Sequence, residues 1–289
     1  MALEMGSLFP ETLTGELFNK VAGKSSLARL SQQIPVKFTG NREFTFSMDS
    51  EVDIVAESGK KSHGGVTVEP VTIVPVKYEY GARVSDEFMN ASEEEQIEIL
   101  KAFSEGFAKK LASGLDKSAM HGINPRTGSA SAVIGTNHFD SKVTDKVVKT
   151  ANIDSDIEDA IALIEGNDGE ATGMIVSNTG RKALADLKNT ANERLFPELA
   201  WGGAPATLNG LAFESNKTVG TSDVAIIGDF ENAFKWGYAK DVEFEVIEFG
   251  DPDNTGKDLK GYNQVYLRGE AYIGWAIINP SAFARITVA

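Results

Sequence analysis

The sequence predicts a mixed α+β fold, and three observations lead to this prediction. Apolar and polar residues alternate in QIPVKFTG and REFTFSM, which is typical of strands. A one-sided stripe of leucine and phenylalanine predicts a long helix over residues 92–120. The segments after this helix combine two amphipathic helical patterns with several short strand patterns. Helices and strands are therefore both expected in this chain of 289 residues.

Composition excludes several classes of function. The chain has no cysteine, so disulfides, thiol nucleophiles and cysteine-ligated zinc are all excluded. Its formal net charge of −14 argues against a nucleic-acid reader, which normally carries a basic surface. No window approaches the roughly 18 apolar residues of a membrane span, so we expect no membrane partner. We also expect no cofactor and no metal, since no motif for either occurs in its structural context.

The tripeptide at Gly23, Lys24 and Ser25 resembles the end of a phosphate-binding loop. That motif needs a further glycine five residues before Gly23, where Phe18 stands. It also needs a strand before the loop, whereas PETLTGELFNKV has helical spacing. We therefore interpret the tripeptide as a polar bend between two short helical segments.

A long hairpin is predicted between the first strands and the long helix. In EVDIVAESGKKSHGGVTVEPVTIVPVKYEYGARV, two β-rich arms flank a polar centre from Glu57 to Gly65. The arms contain too few large apolar residues to form a core, and a two-stranded ribbon is marginally stable by itself. We therefore expect the hairpin to lie on a neighbouring subunit.

The long helix has a clear start signal and a buried face. Ser92 is expected to cap the helix, and Glu95 completes a capping box. Glu93 and Glu94 add negative charge to the first turn, where the helix dipole favours anions. The predicted core face consists of Leu100, Phe103, Phe107, Leu111 and Leu115.

The second half of the chain is predicted to be α/β and then β-rich. IDSDIEDAIALIE forms a helix with Ile153, Ile157, Ile161 and Ile164 on one face. ATGMIVSNTGRKALADLKN combines a strand, a cap at Asn178 and a second amphipathic helix. LAFESN, DVAIIGDF, AFKWGYA and DVEFEVIEF are predicted as short strands, and YNQVYLRGEAYIGWAII and AFARITV as the closing β segments.

No catalytic or metal-binding motif is found in its structural context. His63, His121 and His138 each stand alone in a loop, so surface exposure or local hydrogen bonding is expected. The loop at Asp251 begins like a calcium loop, but Tyr262 stands where the motif needs glutamate, which favours a plain turn. The abundant carboxylates leave an acid/base pair open, without indicating any particular pair.

The order of these parts resembles the major capsid proteins of tailed bacteriophages with the Hong Kong 97-type fold. LFPETLTGELFNKVAGKSSLARLSQQIPV is similar to the family's N-terminal arm, and DKSAMHGINPRTG to the glycine-rich exit from its spine helix. MIVSNTGRKALADLKN is similar to the axial domain. VAIIGDFENAFKWGYAKDVEFEV and LRGEAYIGWAIINPSAFARIT are similar to the family's C-terminal part. The likeness covers nearly the whole chain.

The resemblance implies a division of the chain into four parts. These are an N-terminal arm at 1–36, an extended β-hairpin loop at 37–85, a peripheral domain at 86–128 and 242–275 with its spine helix at 92–120, and an axial α/β domain at 129–241 and 276–289.

The resemblance also implies a structural function and not an enzymatic one. The subunit would assemble with itself into pentamers and hexamers, and these would form the icosahedral head shell around double-stranded DNA. The expected partners are a separate scaffolding protein and a portal, and the DNA would be enclosed without specific binding. Assembly would take place in the cytoplasm of the bacterial host, and the product would be the virion capsid.

The expected assembly contacts lie in two loops. Gly59, Lys60, Lys61, Gly64 and Gly65 belong to the hairpin tip. Asn254 lies in a region where some family members form an isopeptide bond with a loop lysine. Most members form no such bond, so solvated lysines are expected at the tip.

Two other functions remain open from the sequence. One is an encapsulin-type nanocompartment shell, and the other is a cytoplasmic enzyme that uses acidic residues.

Overall fold

The computed structural model describes residues 24–48 and 50–288. Residues 1–23 of the predicted arm at 1–36 therefore lie outside the described residues. The helices are α1 (Ser26–Leu30), α2 (Glu87–Asn90), α3 (Glu93–His121), α4 (Phe139–Lys142), α5 (Ile153–Glu165) and α6 (Asn178–Asp186). The strands are β1 (Asn41–Met48), β2 (Val66–Ile73), β3 (Pro75–Ser85), β4 (Lys146–Val148), β5 (Gly173–Val176), β6 (Thr207–Leu208), β7 (Leu211–Ser215), β8 (Asp223–Gly228), β9 (Phe234–Ile247), β10 (Gln264–Ile277) and β11 (Phe283–Thr287).

Helix α3 confirms the long helix that the sequence predicts. The Ser92 hydroxyl accepts a hydrogen bond from the Glu95 amide, and the Glu95 carboxylate accepts one from the Ser92 amide, so the capping box forms. The helix ends at Gly122, which has a φ of 66°. A Cβ atom at Gly122 would lie 2.4 Å from the His138 ring, so glycine is needed both for the backbone conformation and for space.

The apolar stripe of α3 packs on a three-stranded antiparallel sheet of order β3-β10-β9. Phe103 and Phe107 both meet Phe244 of β9 edge to face, with ring centroids 6.0 and 5.6 Å apart. Leu100, Leu111 and Leu115 are buried, as the stripe predicts. The sheet and α3 thus bury one core between them.

A mixed six-stranded sheet of order β4-β11-β8-β5-β7-β6 forms the other half of the subunit. Every residue of β5 and β8 is buried, which accounts for their uninterrupted apolar sequences GMIV and VAII. Helix α5 packs on β4, β8 and β11, whereas α6 packs on β5 and β8. These helices cover the sheet and close a second core.

Two local predictions are corrected by the structure. AFKWGYA and DVEFEVIEF form the single strand β9, because register shifts opposite Tyr272 absorb the irregularity without ending the pairing. Helix α6 is capped by Ser177 and not by Asn178, since the Ser177 hydroxyl accepts the Gly180 amide at 3.1 Å.

The predicted strand in QIPVKFTG is also wrong in part. Only Gln33 forms a bridge, although Ile34 and Val36 donate their amides to carbonyls of β9. Pro35 has no N–H to donate, and the turn that ends at Gly40 stops the pairing. The segment therefore lies along β9 without forming a regular strand.

His121 is buried at the end of α3, which corrects the expectation that it lies in a loop. Its Nδ1 lies 2.8 Å from the Asp140 carboxylate, and its Nε2 lies 2.8 Å from the Thr218 carbonyl oxygen. Both neighbours are hydrogen-bond acceptors, so the ring satisfies both only when both nitrogens carry a proton. Burial lowers the pKa of His121, but Asp140, the Thr218 carbonyl and Asp223 outweigh it and raise that pKa above its usual value.

Arg285 of β11 completes this buried ionic cluster. Its guanidinium donates to Asp223 at 2.8 and 2.9 Å and to Asp140 at 2.6 Å. Helix α3, helix α4 and the six-stranded sheet are therefore held together by hydrogen-bonded charges that have little contact with water. Removal of one partner from a buried ion pair strongly destabilises the fold, because the remaining charge is buried without compensation.

A second buried carboxylate holds α1 against α3. Asp116 accepts hydrogen bonds from the Ser25 hydroxyl, the Ser26 and Leu27 amides, and the Asn216 side chain. Burial raises the pKa of Asp116 to about 6, although the four donors act in the opposite direction. Ser25, the last residue of the Gly-Lys-Ser tripeptide, thus serves as a helix cap and an anchor.

Candidate assembly surface

Strands β1 and β2 form an antiparallel two-stranded ribbon with one apolar face. Phe44 stands opposite Pro70, Phe46 opposite Val68, and Met48 opposite Val66. Directly opposed residues of an antiparallel pair point to the same side. The face built by these six residues is called the ribbon face below, and all six are exposed to solvent.

The other side of the ribbon is polar and is attached to the body at its base. It carries Glu43, Thr45 and Glu69, and the Glu43 carboxylate lies 3.8 Å from the Lys235 ammonium of β9. At the base, Ile73 is fully buried and packs with Val36. The ribbon face is consequently the side on which the subunit leaves large apolar groups in water.

The arms of the hairpin differ from those that the sequence predicts. REFTFSM supplies the first arm, whereas the predicted arm EVDIVA lies in the connecting loop. Ile54 in that loop is 97 % exposed, and Val52 is 94 % exposed. The alternation of REFTFSM matches that of VTVEPVTI residue for residue, which favours this register over pairing with the shorter EVDIVA.

The five predicted tip residues lie in this connecting loop, between Met48 and Val66, and all five are exposed. A turn in which the Gly59 amide donates to the Ala56 carbonyl at 2.8 Å precedes Lys60 and Lys61. The Ser62 hydroxyl donates to Asp53 across the loop at 2.8 Å. Gly64 and Gly65 then lead into β2. The structure therefore brings the five tip residues together at the end of the ribbon.

Asn254 lies on a different loop, between β9 and β10, with a φ of 53°. This loop folds around the Arg83 guanidinium of β3. Nη2 of Arg83 lies 2.7 Å from Asp251, 2.8 Å from the Thr255 hydroxyl and 2.9 Å from the Lys257 carbonyl, and it also contacts Asp253, so its two N–H groups are shared among these acceptors. Arg83 therefore fixes the loop that presents Asn254.

The calcium-like start of this loop is explained by the same contacts. The hydrogen bond to Asp253 and the nearby carboxylates raise the pKa of Arg83, and the guanidinium lowers the pKa of Asp253 below its usual range. The oxygens that resemble calcium ligands thus point at a cation of the chain itself. Across residues 24–48 and 50–288, no group of three or more histidine, aspartate or glutamate side chains could hold a metal ion.

The ribbon face is a candidate assembly surface that the predictions from the sequence do not include. The glycines and lysines of the sequence predict the tip, whereas the pattern around Phe44 and Phe46 predicts only a strand. The signal was present, because both strands of the ribbon alternate apolar and polar residues. The alternation alone does not show that the two strands share an apolar face. The register shows it, because it places the apolar residues of both strands on one side. Contiguous exposed apolar surface of this kind typically marks a protein–protein contact.

Comparison with known proteins identifies the family. The model of the phage capsid family matches residues 6–288. The chain belongs to the phage capsid family. No curated protein matches the chain. Among the described residues, no helix is long and apolar enough to cross a bilayer.

Solved structures agree with this assignment. A chain from Mycobacterium phage Ogopogo is 30 % identical, with 92 % of each chain covered and a TM-score of 0.77. A chain from Gordonia phage Cozz shares the fold at 24 % identity and a TM-score of 0.77, covering 92 % of this chain and 87 % of its own. The capsid of a native GTA particle shares it at 15 % identity and a TM-score of 0.67, with 93 % and 90 % covered.

The protein is therefore a structural subunit of a capsid shell, with a mixed α+β fold that matches phage capsid structures. Family and fold indicate a structural protein. The comparisons favour neither the nanocompartment shell nor the enzyme based on acidic residues that the sequence left open.

Proposed function

We propose that this capsid subunit has the Hong Kong 97-type fold and forms the icosahedral head of a tailed phage from pentamers and hexamers. The observation that carries the proposal is the ribbon face, which exposes Phe44, Phe46 and Met48 and has no covering layer among residues 24–48 and 50–288. Two strands alone are marginally stable in water, so a neighbouring subunit is the natural cover. In this arrangement the ribbon of one subunit lies on the body of the next.

Four parts of the chain take separate roles in the proposed shell. Helix α3 is the spine of a peripheral domain at 86–128 and 242–275, and the six-stranded sheet belongs to an axial domain at 129–241 and 276–289. The ribbon belongs to an extended loop at 37–85. The segment 1–36, of which residues 1–23 lie outside the described residues, is proposed as an arm that contacts a neighbour. The core under α5 and α6 lies within the proposed axial domain, whereas the core under α3 also includes Phe139, Phe230 and Phe283 of that domain.

The tip of the ribbon would make the outermost contacts. Gly59, Gly64 and Gly65 let the backbone approach a neighbour closely, and Lys60 and Lys61 remain solvated beside it. The Arg83-fixed loop with Asn254 is proposed as a second contact on the peripheral domain. A loop held by several charge-assisted hydrogen bonds can present such a contact with little loss of conformational entropy.

The shell would enclose double-stranded DNA without gripping it. Affinity for DNA depends on cationic contacts with phosphates, and this chain carries a net charge of −14. A separate scaffolding protein and a portal would assist assembly in the cytoplasm of the bacterial host, and the product would be the virion.

Electron microscopy of the purified chain tests this proposal, first with the chain expressed alone and then with a scaffolding protein. Rings of five and six subunits or closed icosahedral shells are expected. A uniform small particle under both conditions would contradict the proposal. Shells that contain protein cargo instead of DNA would favour a nanocompartment.

A further inference from the structure

Trp201 is held on the surface with its entire side chain in water. The residue has a φ of 58°, and Gly202 follows with a φ of 88°. A Cβ atom at Gly203 would lie 1.9 Å from the Glu198 carbonyl oxygen, so only glycine allows the backbone to fold back here. Leu199 is fully buried below the turn. The indole is therefore displayed by a tight and anchored turn.

The indole forms one wall of a shallow basic groove of about 210 Å³. The groove is lined by Arg181, Lys182, Arg194 and Asp186, and the Lys182 ammonium pairs with the Asp186 carboxylate at 2.6 Å, so the excess positive charge is that of the two arginines. Arg181 and Arg194 donate to the Leu199 and Ala185 carbonyls at 3.3 and 3.0 Å, which fixes the two guanidinium groups. An ordered basic groove beside an exposed tryptophan has the composition of an interface hot spot.

The surface of α5 has complementary character. The sequence from residue 150 to residue 180 contains no lysine and no arginine. Helix α5 exposes Asp154, Glu158, Asp159 and Glu165, and Leu163 lies one turn after Asp159 and is 40 % exposed. This surface, called the acidic face below, offers carboxylates to the cations of the groove and a leucine to its indole.

The groove and the acidic face lie on neighbouring helices of the same sheet. Helix α5 packs on β4, β8 and β11, α6 packs on β5 and β8, and the two helices contact each other. Among the described residues, no ion pair joins the carboxylates of the acidic face to the cations of the groove. A second copy of the chain can supply the missing half of the contact, and contacts between two different faces of identical subunits generate rings.

We propose that the Trp201 groove of one subunit binds the acidic face of a second copy of this chain and orders the subunits head to tail. The inference rests on the proposed function, since it names a contact within the proposed pentamers and hexamers. Charge complementarity favours this occupant, because the chain carries an excess of acidic surface and the groove is basic.

Charge reversal and its rescue test the contact. Lys182→Glu and Asp159→Lys should each weaken ring formation, and the double variant K182E/D159K should restore it because the pair is then reversed. The matched control is K182E/E231K, which has the same net charge but places its lysine at Glu231, an exposed residue of the turn between β8 and β9 and not of helix α5. It should not restore rings. Sedimentation velocity and electron microscopy give the readout.

Trp201→Asn tests the apolar part of the contact. Asparagine tolerates a positive φ, so the variant removes the indole without straining the turn. The association constant of the subunits is expected to fall about tenfold or more, as for a hot-spot residue. Circular dichroism and thermal unfolding should match the wild type.

The outcomes separate this inference from the proposed function. Absence of rings and shells from the wild-type chain, alone and with a scaffolding protein, would contradict both. Normal shells from the wild type, W201N and K182E would overturn the inference alone. It would also be overturned if W201N and K182E assembled normally but lost binding to a single-stranded oligonucleotide, because the groove would then serve nucleic acid.

Discussion

The six-stranded sheet and the ribbon use apolar residues in opposite ways. All residues of β5 and β8 are buried in the sheet under α5 and α6, whereas Phe44 and Phe46 of the ribbon are about two-thirds exposed. A sheet with a covering layer closes a core inside one chain, and a two-stranded ribbon cannot. The difference supports the proposal that the subunit folds through its body and uses the ribbon face for association. Substitutions in the two regions should therefore affect different measurements.

The largest effect on folding is expected in the body at Phe283. Its ring lies 5.1 Å from the Phe139 ring and 5.2 Å from the Phe230 ring, and the side chain is fully buried. Phe283→Ala should lower the free energy of unfolding by about 3–5 kcal/mol, because it leaves a cavity in an aromatic cluster. Denaturant titration of the subunit measures this loss. A loss below about 1 kcal/mol would show that the cluster is not part of the core.

The next effect concerns the junction between α1 and α3. Asp116→Asn replaces one acceptor oxygen by an amide that faces donors from Ser25, Ser26 and Leu27. The free energy of unfolding should fall by about 2–4 kcal/mol, since buried donors lose their partner. Hydrogen exchange at the Ser26 and Leu27 amides should become faster than in the wild type. Asp154→Asn on the exposed surface is the control and should change neither quantity.

A smaller effect on the free energy of unfolding is expected from the deprotonation of His121. Its pKa is raised in the folded state, so its stabilisation is complete below pH 6.5 and is lost as the pH rises through the folded pKa. The ring then lacks a proton for either Asp140 or the Thr218 carbonyl. Each unit of raised pKa corresponds to about 1.4 kcal/mol.

Comparison of variants isolates this group. His121→Gln should remove the decrease in unfolding free energy above pH 6.5, and His63→Gln in the ribbon loop should retain it. An unchanged decrease in H121Q would assign the pH dependence to another group.

The smallest effect on folding is expected at the ribbon face. Phe46→Ser should change the free energy of unfolding of the subunit by less than about 0.5 kcal/mol, because the side chain is exposed. The same variant should prevent or strongly reduce shell formation. The control is Thr45→Ser on the other side of the ribbon, which should assemble normally. Loss of subunit stability in F46S would place the ribbon face within the fold.

Local signals in the sequence predicted the elements that depend on local physics. The capping box at Ser92 and the stripe along α3 were correct because caps and helical periodicity act within a few residues. The first arm of the hairpin and the burial of His121 were missed, since strand partners and the neighbours Asp140 and Thr218 are distant in sequence. For the same reason the glycines predict the position of the tip from local sequence, whereas the ribbon face can be recognised only when the register of β1 with β2 is known.

Hydrogen exchange of the ribbon in the free subunit and in assembled shells tests the central claim most directly. The amides of β1 and β2 should exchange quickly in the free subunit and slowly in shells, whereas those of β5 and β8 should be protected in both. Equal protection of the ribbon in both states would contradict the claim that its apolar face is reserved for a neighbouring subunit.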